Sequence, residues 1–255
     1  MKAALGVDLG ATWLRACLAV DGRESWNVRV PASDWRDLPS LLPRLLRARR
    51  APRLASLTVG STRIGGAALR ARLKLELRPL AARVSVLPDF ETAHLAAFGS
   101  GPGVVLGGST GSYAFARGSR GRARRAGGWG PLLGDEGSGF WLGREAARDE
   151  TLRRRLRLPR PLDLAHADDP VRATAALAPR VLRGSRRLRE AAAGHLAALA
   201  RDAARGLGLP KPAPLALHGS LFKNDALRRA VLRRLGPGYR TVAPRVSAER
   251  AAAGL

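Results

Sequence analysis

The sequence contains a single cysteine, Cys17, so an intramolecular disulfide cannot form. The four histidines stand far apart, at positions 94, 166, 195 and 218, and together with Cys17 they show no spacing typical of zinc ligands. These absences exclude a disulfide-stapled scaffold and a zinc site of the usual Cys/His type. We expect the four histidines to be structural or exposed to solvent.

Long apolar runs are missing as well. No window approaches the roughly 18 uncharged apolar residues that a membrane-spanning helix needs, and the apolar stretch before Asp8 is too brief for a signal peptide. Hydrophobic residues nevertheless make up 45% of the 255 residues, enough for an extensive core in one large or two modest domains. We expect a globular, cytoplasmic protein that does not bind membranes.

Acidic residues are scarce, since 20 Asp and Glu oppose 45 Lys and Arg and leave a net charge of +25. Such a charge is typical of polyanion binders. Most of the basic residues are arginines on what look like solvent faces of predicted helices, as in 44–50 and 228–234. Aromatic residues are only 5% of the chain, few for the stacking on which single-strand binders depend. We therefore expect no specific nucleic-acid partner, and RNA binding with a steep salt dependence would indicate the opposite.

Short apolar strands alternate with helical patterns, which predicts an α/β fold. The Gly- and Pro-rich run 99–103 marks the best domain boundary, giving predicted domains 1–100 and 101–255. Each half opens with a strand, a Gly-rich turn and a second strand, as a duplicated domain would. Helices are predicted over residues 34–50, 67–77, 91–98, 137–155, 171–183, 186–207, 224–235 and 247–252.

Two Gly-rich turns stand in equivalent strand contexts. The first, 8–12, reads DLGAT, and Gly10 and Thr12 there could approach an anion while Asp8 holds Mg²⁺. The second, 107–112, reads GGSTGS. Taken alone, the first turn could equally be the turn of an ordinary β-hairpin, and the second turn could be a surface loop. Together they are candidates for the two sides of a phosphate clamp; a Walker-type P-loop is absent from the sequence.

The run 126–141 reads AGGWGPLLGDEGSGFW and is the most specific segment of the chain. Its glycines make poor regular structure but suit a loop that faces a ligand and leads into a helix. Carboxylates there can accept hydrogen bonds from sugar hydroxyls, and a tryptophan can pack on a pyranose ring. The alternative is a structural Gly-rich turn around a buried tryptophan.

This run matches the GGWGxLLGDEGSxxW signature of N-acetylglucosamine kinases, so the sequence resembles that family and the related BadF/BadG/BcrA/BcrD-type ATPases. The other motifs follow in the family's order: DLGAT, an Asp opening a helix at 89, STGS at 109–112 and HGSLFKN at 218–224. The resemblance implies two actin-like (ribonuclease H-like) domains that close on ATP and sugar. A last helix near 247–255 would pack back on the first domain, and homodimers are common in the family.

The resemblance also implies roles for individual residues. Asp89 would be the catalytic base that takes the proton from the sugar 6-hydroxyl; as a plain sequence feature it could instead be a helix N-cap. The residues implied to bind ATP, with Asp8 also near Mg²⁺, are Asp8, Gly10, Thr12, Thr110, Gly111, Gly219, Ser220 and Asn224. The residues implied to bind the sugar are Ser33, Asp34, Trp35, Gly128, Trp129, Gly130 and Asp135.

The sequence departs from the family pattern in three places. Ser33 replaces an Asn, which puts the acetamido preference in doubt; the region 141–215 looks short; and Arg250 stands where a Gly is usual. Because Cys17 is the only cysteine, an iron–sulfur activator of the same superfamily is nearly excluded. A non-catalytic or ATPase-only module that senses sugar or nucleotide remains the alternative to an ATP-dependent sugar kinase.

Overall fold

The computed structural model describes residues 1–10, 13–32, 34–61, 64 and 66–255, so Thr12 and Ser33 of the predicted site lie outside the described residues. The chain divides into two units, one made of Met1–Gly99 with Pro244–Leu255 and the other of Ser100–Ala243. Each unit contains a five-stranded sheet covered by helices, which confirms the predicted α/β class.

The two sheets have the same topology. In each, the first three strands form an antiparallel meander, and the fourth and fifth are added parallel to the first, on its other side. The orders are therefore β3-β2-β1-β4-β5 and β8-β7-β6-β9-β10. The strands are β1 (Ala3–Leu9), β2 (Trp13–Val20), β3 (Arg23–Pro31), β4 (Leu54–Ser61), β5 (Ala81–Pro88), β6 (Gly103–Gly108), β7 (Ser112–Arg117), β8 (Ala123–Gly127), β9 (Ala213–His218) and β10 (Tyr239–Thr241).

Eleven α-helices lie in the described part of the chain, and none of them is long and apolar enough to span a bilayer. They are α1 (Leu38–Ala48), α2 (Ala67–Leu77), α3 (Asp89–Phe98), α4 (Gly139–Arg148), α5 (Glu150–Arg155), α6 (Pro161–Ala165), α7 (Pro170–Ala175), α8 (Ala178–Gly184), α9 (Arg186–Ala204), α10 (Asp225–Leu235) and α11 (Ala248–Ala252).

The predicted elements differ from these in a few places. The helix predicted over 137–155 is broken at Asp149. The backbone of Asp149 is extended, and its side chain caps α5 by accepting a hydrogen bond from the Leu152 amide. The helix predicted over 171–183 is likewise two helices, α7 and α8. The arginine-rich run 120–125, for which no strand was predicted, lies at the surface, and its last three residues belong to the edge strand β8.

Each unit has its own hydrophobic core. In the first, Leu5, Val7 and Leu57 of the central strands are fully buried. In the second, α9 lies on β6 and β7 and buries residues spaced three and four apart, namely Ala192, Ala193, Leu196, Ala197 and Ala200. The small alanine side chains allow this helix to approach the sheet closely.

The C-terminal segment Pro244–Leu255 belongs to the first unit, where α11 packs on β1 and α3. The Glu249 carboxylate accepts from Asn27 Nδ2 at 3.3 Å, and Arg250 Nε lies 2.6 Å from the Glu24 carboxylate. A Cβ at Gly6 would overlap the Glu249 carbonyl oxygen, so only glycine permits this approach of helix to strand. Arg250, a departure from the family pattern, thus forms an ion pair with Glu24 of β3.

Cys17 lies beneath this helix, fully buried beside Ala253. Burial, with smaller contributions from the carboxylates of Glu24 and Glu249, raises the pKa of the Cys17 thiol to about 11.

We predict that a thiol reagent reacts slowly with the folded protein at pH 8, because only about one thiol in a thousand is ionised there and the sulfur is covered. The rate should rise with pH up to about 11. The denatured chain, as control, should react fast and stoichiometrically. Rapid labelling of the folded protein at pH 8 would contradict the burial of Cys17.

Gly6→Ala is predicted to loosen α11 from β1. Overpacking of this kind costs about 1–3 kcal/mol, measured as a lower midpoint of denaturant unfolding, and should speed the labelling of Cys17. Gly238→Ala is the matched control, because nothing lies within 4 Å of a Cβ at that position. An unchanged midpoint and labelling rate for Gly6→Ala would show that α11 does not depend on this contact.

Candidate functional site

The second unit carries a cavity where two parallel strands end side by side. β6 and β9 are paired in parallel with Gly107 opposite His218, so the loops that follow them leave the same edge of the sheet. Ligands of α/β sheets bind at such carboxyl ends. Gly219, after β9, packs directly against Gly108, at the end of β6.

The cavity has a volume of about 530 Å³, within the usual range for small-molecule sites. It brings together Ser109 and Thr110 from the GGSTGS loop and Ser220 and Asn224 from the HGSLFKN loop, which lie more than a hundred residues apart in sequence. The predicted phosphate loop and the predicted adenosine loop of this unit therefore line one cavity.

The opposite wall of the cavity is the turn between α7 and α8. It presents apolar surface from Ala175, Ala176, Pro179 and Leu182. The Asn224 Oδ1 atom accepts from the Leu227 amide at 2.9 Å, so this side chain is held in place as the N-cap of α10.

Three cationic side chains also line this cavity: Arg172, Arg183 and Lys223. The sequence interpretation missed them. Lys223 carried a usable signal, because it is one of only four lysines and lies inside the HGSLFKN motif. Arg172 and Arg183 stand among many surface arginines, and only the packing of α7 and α8 distinguishes them.

Asp135 is buried, with 7% of its surface exposed, and its carboxylate faces the GGSTGS loop. Oδ1 accepts from the Ser112 amide at 3.2 Å, and a Cβ at Gly111 would lie 2.8 Å from Oδ2. Gly111 is therefore required for the close approach of the loop to this carboxylate. The predicted sugar ligand Asp135 thus also supports the predicted phosphate loop.

Burial raises the pKa of Asp135, the negative charge of Glu136 adds to the rise, and the hydrogen bond from the Ser112 amide opposes it. The next residue is tied to the same loop, since the Ser112 hydroxyl donates to the Glu136 carbonyl oxygen at 2.8 Å. The acidic pair of the signature run therefore anchors the start of β7.

The middle of the signature run, around Trp129 and Leu132, is exposed to solvent, whereas residues 137–139 are buried. Trp129 is 60% exposed, with the Arg125 guanidinium 4.2 Å from the centre of its ring, and Leu132 and Leu133 are exposed as well. Gly128, beside it, donates its amide to the Ser112 carbonyl oxygen, and Gly130 has a positive φ. A tryptophan displayed in this way suits contact with a ligand, and the alternative of a buried structural tryptophan does not hold at Trp129.

In the first unit, Asp8 and Asp89 lie at the carboxyl edge of the sheet. Asp8 is next to last in β1, and Asp89 opens α3 directly after β5, with β4 between the two strands. The strands that carry them are therefore about 10 Å apart.

Pro88, and not Asp89, is the N-cap residue of α3. The Asp8 carboxylate lies 3.3 Å from the Arg15 guanidinium, and the Gly10 amide donates to the Trp13 carbonyl oxygen.

The segment predicted to contact the sugar through Asp34 and Trp35 has structural roles in this unit. Asp34 caps the 3₁₀ turn Trp35–Asp37, accepting from the Arg36 amide at 2.9 Å. Trp35 is only 5% exposed and packs in the hydrophobic core. The role of this segment in substrate binding stays a prediction.

No group of three or more His, Cys, Asp or Glu side chains in the described part of the chain is arranged to hold a metal ion by itself. A single carboxylate such as Asp8 fits a different mode, in which Mg²⁺ keeps several waters and arrives on nucleotide phosphates.

No protein-family model matches the chain. A curated N-acetylmuramic acid/N-acetylglucosamine kinase from Clostridium acetobutylicum is 36% identical over 66 residues, which is 26% of this chain and 22% of that protein. The match thus spans less than a quarter of this relative.

Solved structures match over the whole chain. A protein from Chromobacterium violaceum, provisionally assigned as an N-acetylglucosamine kinase, is 27% identical with a TM-score of 0.74, covering 99% of this chain and 98% of that one. A counterpart from Porphyromonas gingivalis is 19% identical, with a TM-score of 0.70 and coverages of 98% and 97%. A ROK hexokinase from Thermus thermophilus is 20% identical, with a TM-score of 0.56 and the same coverages.

These findings confirm the predicted resemblance to N-acetylglucosamine kinases. They also confirm the fold class, a two-domain α/β fold shared with actin-like sugar kinases. The structures from Porphyromonas gingivalis and Thermus thermophilus are only 19% and 20% identical to the chain, so they show the fold alone.

Asp135→Asn is predicted to be at least as stable as the native chain at neutral pH. The raised pKa means that the folded state disfavours the charged carboxylate, while an asparagine still accepts from the Ser112 amide without a charge. The advantage should shrink as the pH falls through the pKa of the buried carboxyl and vanish below its unfolded value. Thermal unfolding across this range measures it, with the exposed Asp168→Asn as control. A variant that is much less stable at neutral pH would contradict the prediction.

Proposed function

We propose that the chain is an ATP-dependent sugar kinase that phosphorylates an amino sugar, with N-acetylglucosamine and its 6-hydroxyl as the first candidate. The observation that carries the proposal is the cavity of the second unit, where the GGSTGS and HGSLFKN loops meet. Full-length similarity to the Chromobacterium violaceum protein, which is provisionally assigned as an N-acetylglucosamine kinase, supports the same reaction.

The nucleotide would lie in this cavity with its two ends against different loops. Backbone amides and hydroxyls around Thr110 and Gly111 can donate hydrogen bonds to phosphate oxygens. The Asp135 carboxylate fixes this loop by accepting from the Ser112 amide. The adenosine would lie between Gly219, Ser220 and Asn224 on one side and the apolar α7–α8 turn on the other.

The first unit would supply the groups that act on the hydroxyl and on the transferred phosphate. Gly10 and Thr12 are the candidates for the second phosphate loop. Asp8 is the residue that would hold Mg²⁺, and the ion, when bound, offsets the negative charge that builds on the transferred phosphoryl group.

Asp89 is the proposed general base. Its place at the first turn of α3, directly after the edge strand β5, leaves the side chain half-buried at the carboxyl end of the sheet. The carboxylate would accept the proton of the sugar hydroxyl as the hydroxyl oxygen attacks the γ-phosphorus, and the bond from that phosphorus to the leaving ADP oxygen breaks. Such a base contributes about 100- to 10,000-fold in rate.

The sugar would contact the signature run through Gly128, Trp129, Gly130 and Asp135. Ser33 and Asp34 are further candidates. Because Ser33 replaces an asparagine of the family pattern, glucosamine, a muramyl sugar or another hexose are alternative substrates. The curated relative's name includes N-acetylmuramic acid, which supports placing that sugar in the test panel.

The test is a coupled assay of ADP release with Mg-ATP against a panel of these sugars. We expect turnover with one amino sugar. Asp89→Asn should lower kcat by about 100-fold or more while leaving nucleotide binding intact. Glu91→Gln, a change of carboxylate to amide in the same helical turn, is the control and should keep most of the activity.

Sugar-stimulated turnover that survives Asp89→Asn would show that another group is the base. No sugar-stimulated ADP release, with ATP still bound, would overturn the kinase proposal and favour the alternative of a sensor or an ATPase-only relative.

A further inference from the structure

The first turn of α3, which begins with Asp89, packs against a strand position that has no side chain. A Cβ added at Gly60 of β4 would lie 2.5 Å from the Thr92 methyl carbon and 2.7 Å from the Thr92 hydroxyl oxygen. Ordinary van der Waals contact begins at 3.4 Å, so an alanine at position 60 would overlap Thr92 by about 1 Å. Thr92 is only 1% exposed. We call this close approach the Gly60 notch.

The Gly60 notch lies between the two strands that lead to the acidic candidates. Gly60 pairs with Asp8 of β1 on one side and with Leu87 of β5 on the other, and Asp89 follows Leu87 by two residues. Residues paired across strands point to the same face of a sheet. The Asp8 side chain therefore points to the face on which the first turn of α3 packs, and the notch is one strand spacing, roughly 4.8 Å, from β1.

Thr92 also fixes the start of α3. The N-cap residue Pro88 supplies no side-chain hydrogen bond to the first turn. The Thr92 hydroxyl donates instead to the Asp89 carbonyl oxygen at 2.9 Å. A β-branched side chain has few rotamers in a helix, and both branches of Thr92 face Gly60. The side chain therefore cannot turn away from an obstacle at position 60, and the helix would have to move.

The other end of α3 is held as well. The amides of Arg245 and Val246 donate to the Ala96 carbonyl oxygen at 2.8 and 3.3 Å, and α11 packs on the helix. Because the last turn is fixed in this way, an overlap at Thr92 would displace the first turn, which carries Asp89.

We infer that Thr92, seated in the Gly60 notch, is a positioning residue that sets the place of the Asp89 carboxylate relative to Asp8. It acts through the first turn of α3. In the proposed reaction Asp89 accepts the proton of the attacking hydroxyl, and Asp8 serves the phosphate that is attacked, so their separation has to suit both. A misplacement of about 1 Å can cost about 100-fold in rate. This role rests on the proposed function, because Asp89 is a base only in that reaction.

The test compares sugar phosphate formation by the native full-length chain and by Gly60→Ala, with Mg-ATP as donor. The variant should lower kcat by about tenfold to a hundredfold. The affinity for ADP, measured by isothermal titration, should change less than about twofold, because only a step of the reaction is affected.

Gly118→Ala is the matched control for overpacking. A Cβ at Gly118 would overlap the Leu207 carbonyl oxygen, at the end of the second sheet opposite the cavity. This variant should also lower the midpoint of thermal unfolding, and it should keep the native kcat.

Two double variants show whether the loss in Gly60→Ala runs through Thr92 and Asp89. With Thr92→Ala, only the Cβ of residue 92 remains near position 60, at 3.0 Å, so Gly60→Ala should then cost less than about threefold. With Asp89→Asn, Gly60→Ala should also have little further effect, because the base that it displaces is already gone. A purely structural role would lower kcat by the same factor in all three backgrounds.

Thr92→Ala alone tests the contact without any overlap. It should lower kcat by about twofold to tenfold, because the Asp89 carbonyl loses the hydroxyl bond. Thr92→Ser keeps the hydroxyl and should keep most of the activity. These two variants decide the question if Gly60→Ala does not fold.

Native kcat in a folded Gly60→Ala, or in Thr92→Ala, would overturn the positioning role and leave the proposed function standing. Equal losses in all three backgrounds would overturn it too. Full turnover by Asp89→Asn would contradict the proposed base and remove the role of Thr92 with it. A native chain that forms no sugar phosphate would contradict the proposed function, and the positioning role would fall at the same time.

Discussion

The parallel pairing of β6 with β9 is the constraint on which the second unit's site depends. Two loops separated by more than a hundred residues meet because their strands run in the same direction and end at the same level. The first unit repeats the plan with β1, β4 and β5, and this places Asp8 and Asp89 on one edge. A single topology, used twice, thus places most of the groups with candidate chemistry at strand ends.

The positive charge of the chain contributes little to the stability of this fold. Most arginines lie on helix surfaces, where pairs such as Arg154–Glu150 and Arg205–Asp202 are exposed on both sides. Such pairs contribute about 0–1 kcal/mol each, so the fold rests on its two apolar cores and not on its ion pairs. Other arginines, including Arg172 and Arg183 at the cavity, form no ion pair with a described residue.

Much of this could be predicted from the sequence, because strand–glycine–strand patterns and the signature run are local features. The strands around the GGSTGS loop and the helix over 67–77 agree with the structure closely. The edge strand β8 could not be foreseen, since its arginines show no apolar alternation. The packing of Trp35 in the core could not be foreseen either, because its surroundings there depend on distant residues. The same holds for Arg172 and Arg183, whose position at the cavity follows from the packing of α7 and α8.

The discontinuity of the first unit has a consequence for the order of folding. Residues 1–99 leave the ribosome well before Pro244–Leu255, and the whole of the second unit is synthesised between them. During that interval the surface of β1 and β2 around Gly6 and Cys17 has no α11 to cover it. The second unit is continuous in sequence and can complete its core first, although domains usually fold in the order in which they are made. Final assembly of the first unit therefore requires a contact of very high sequence separation, which is the slowest kind for a chain to find.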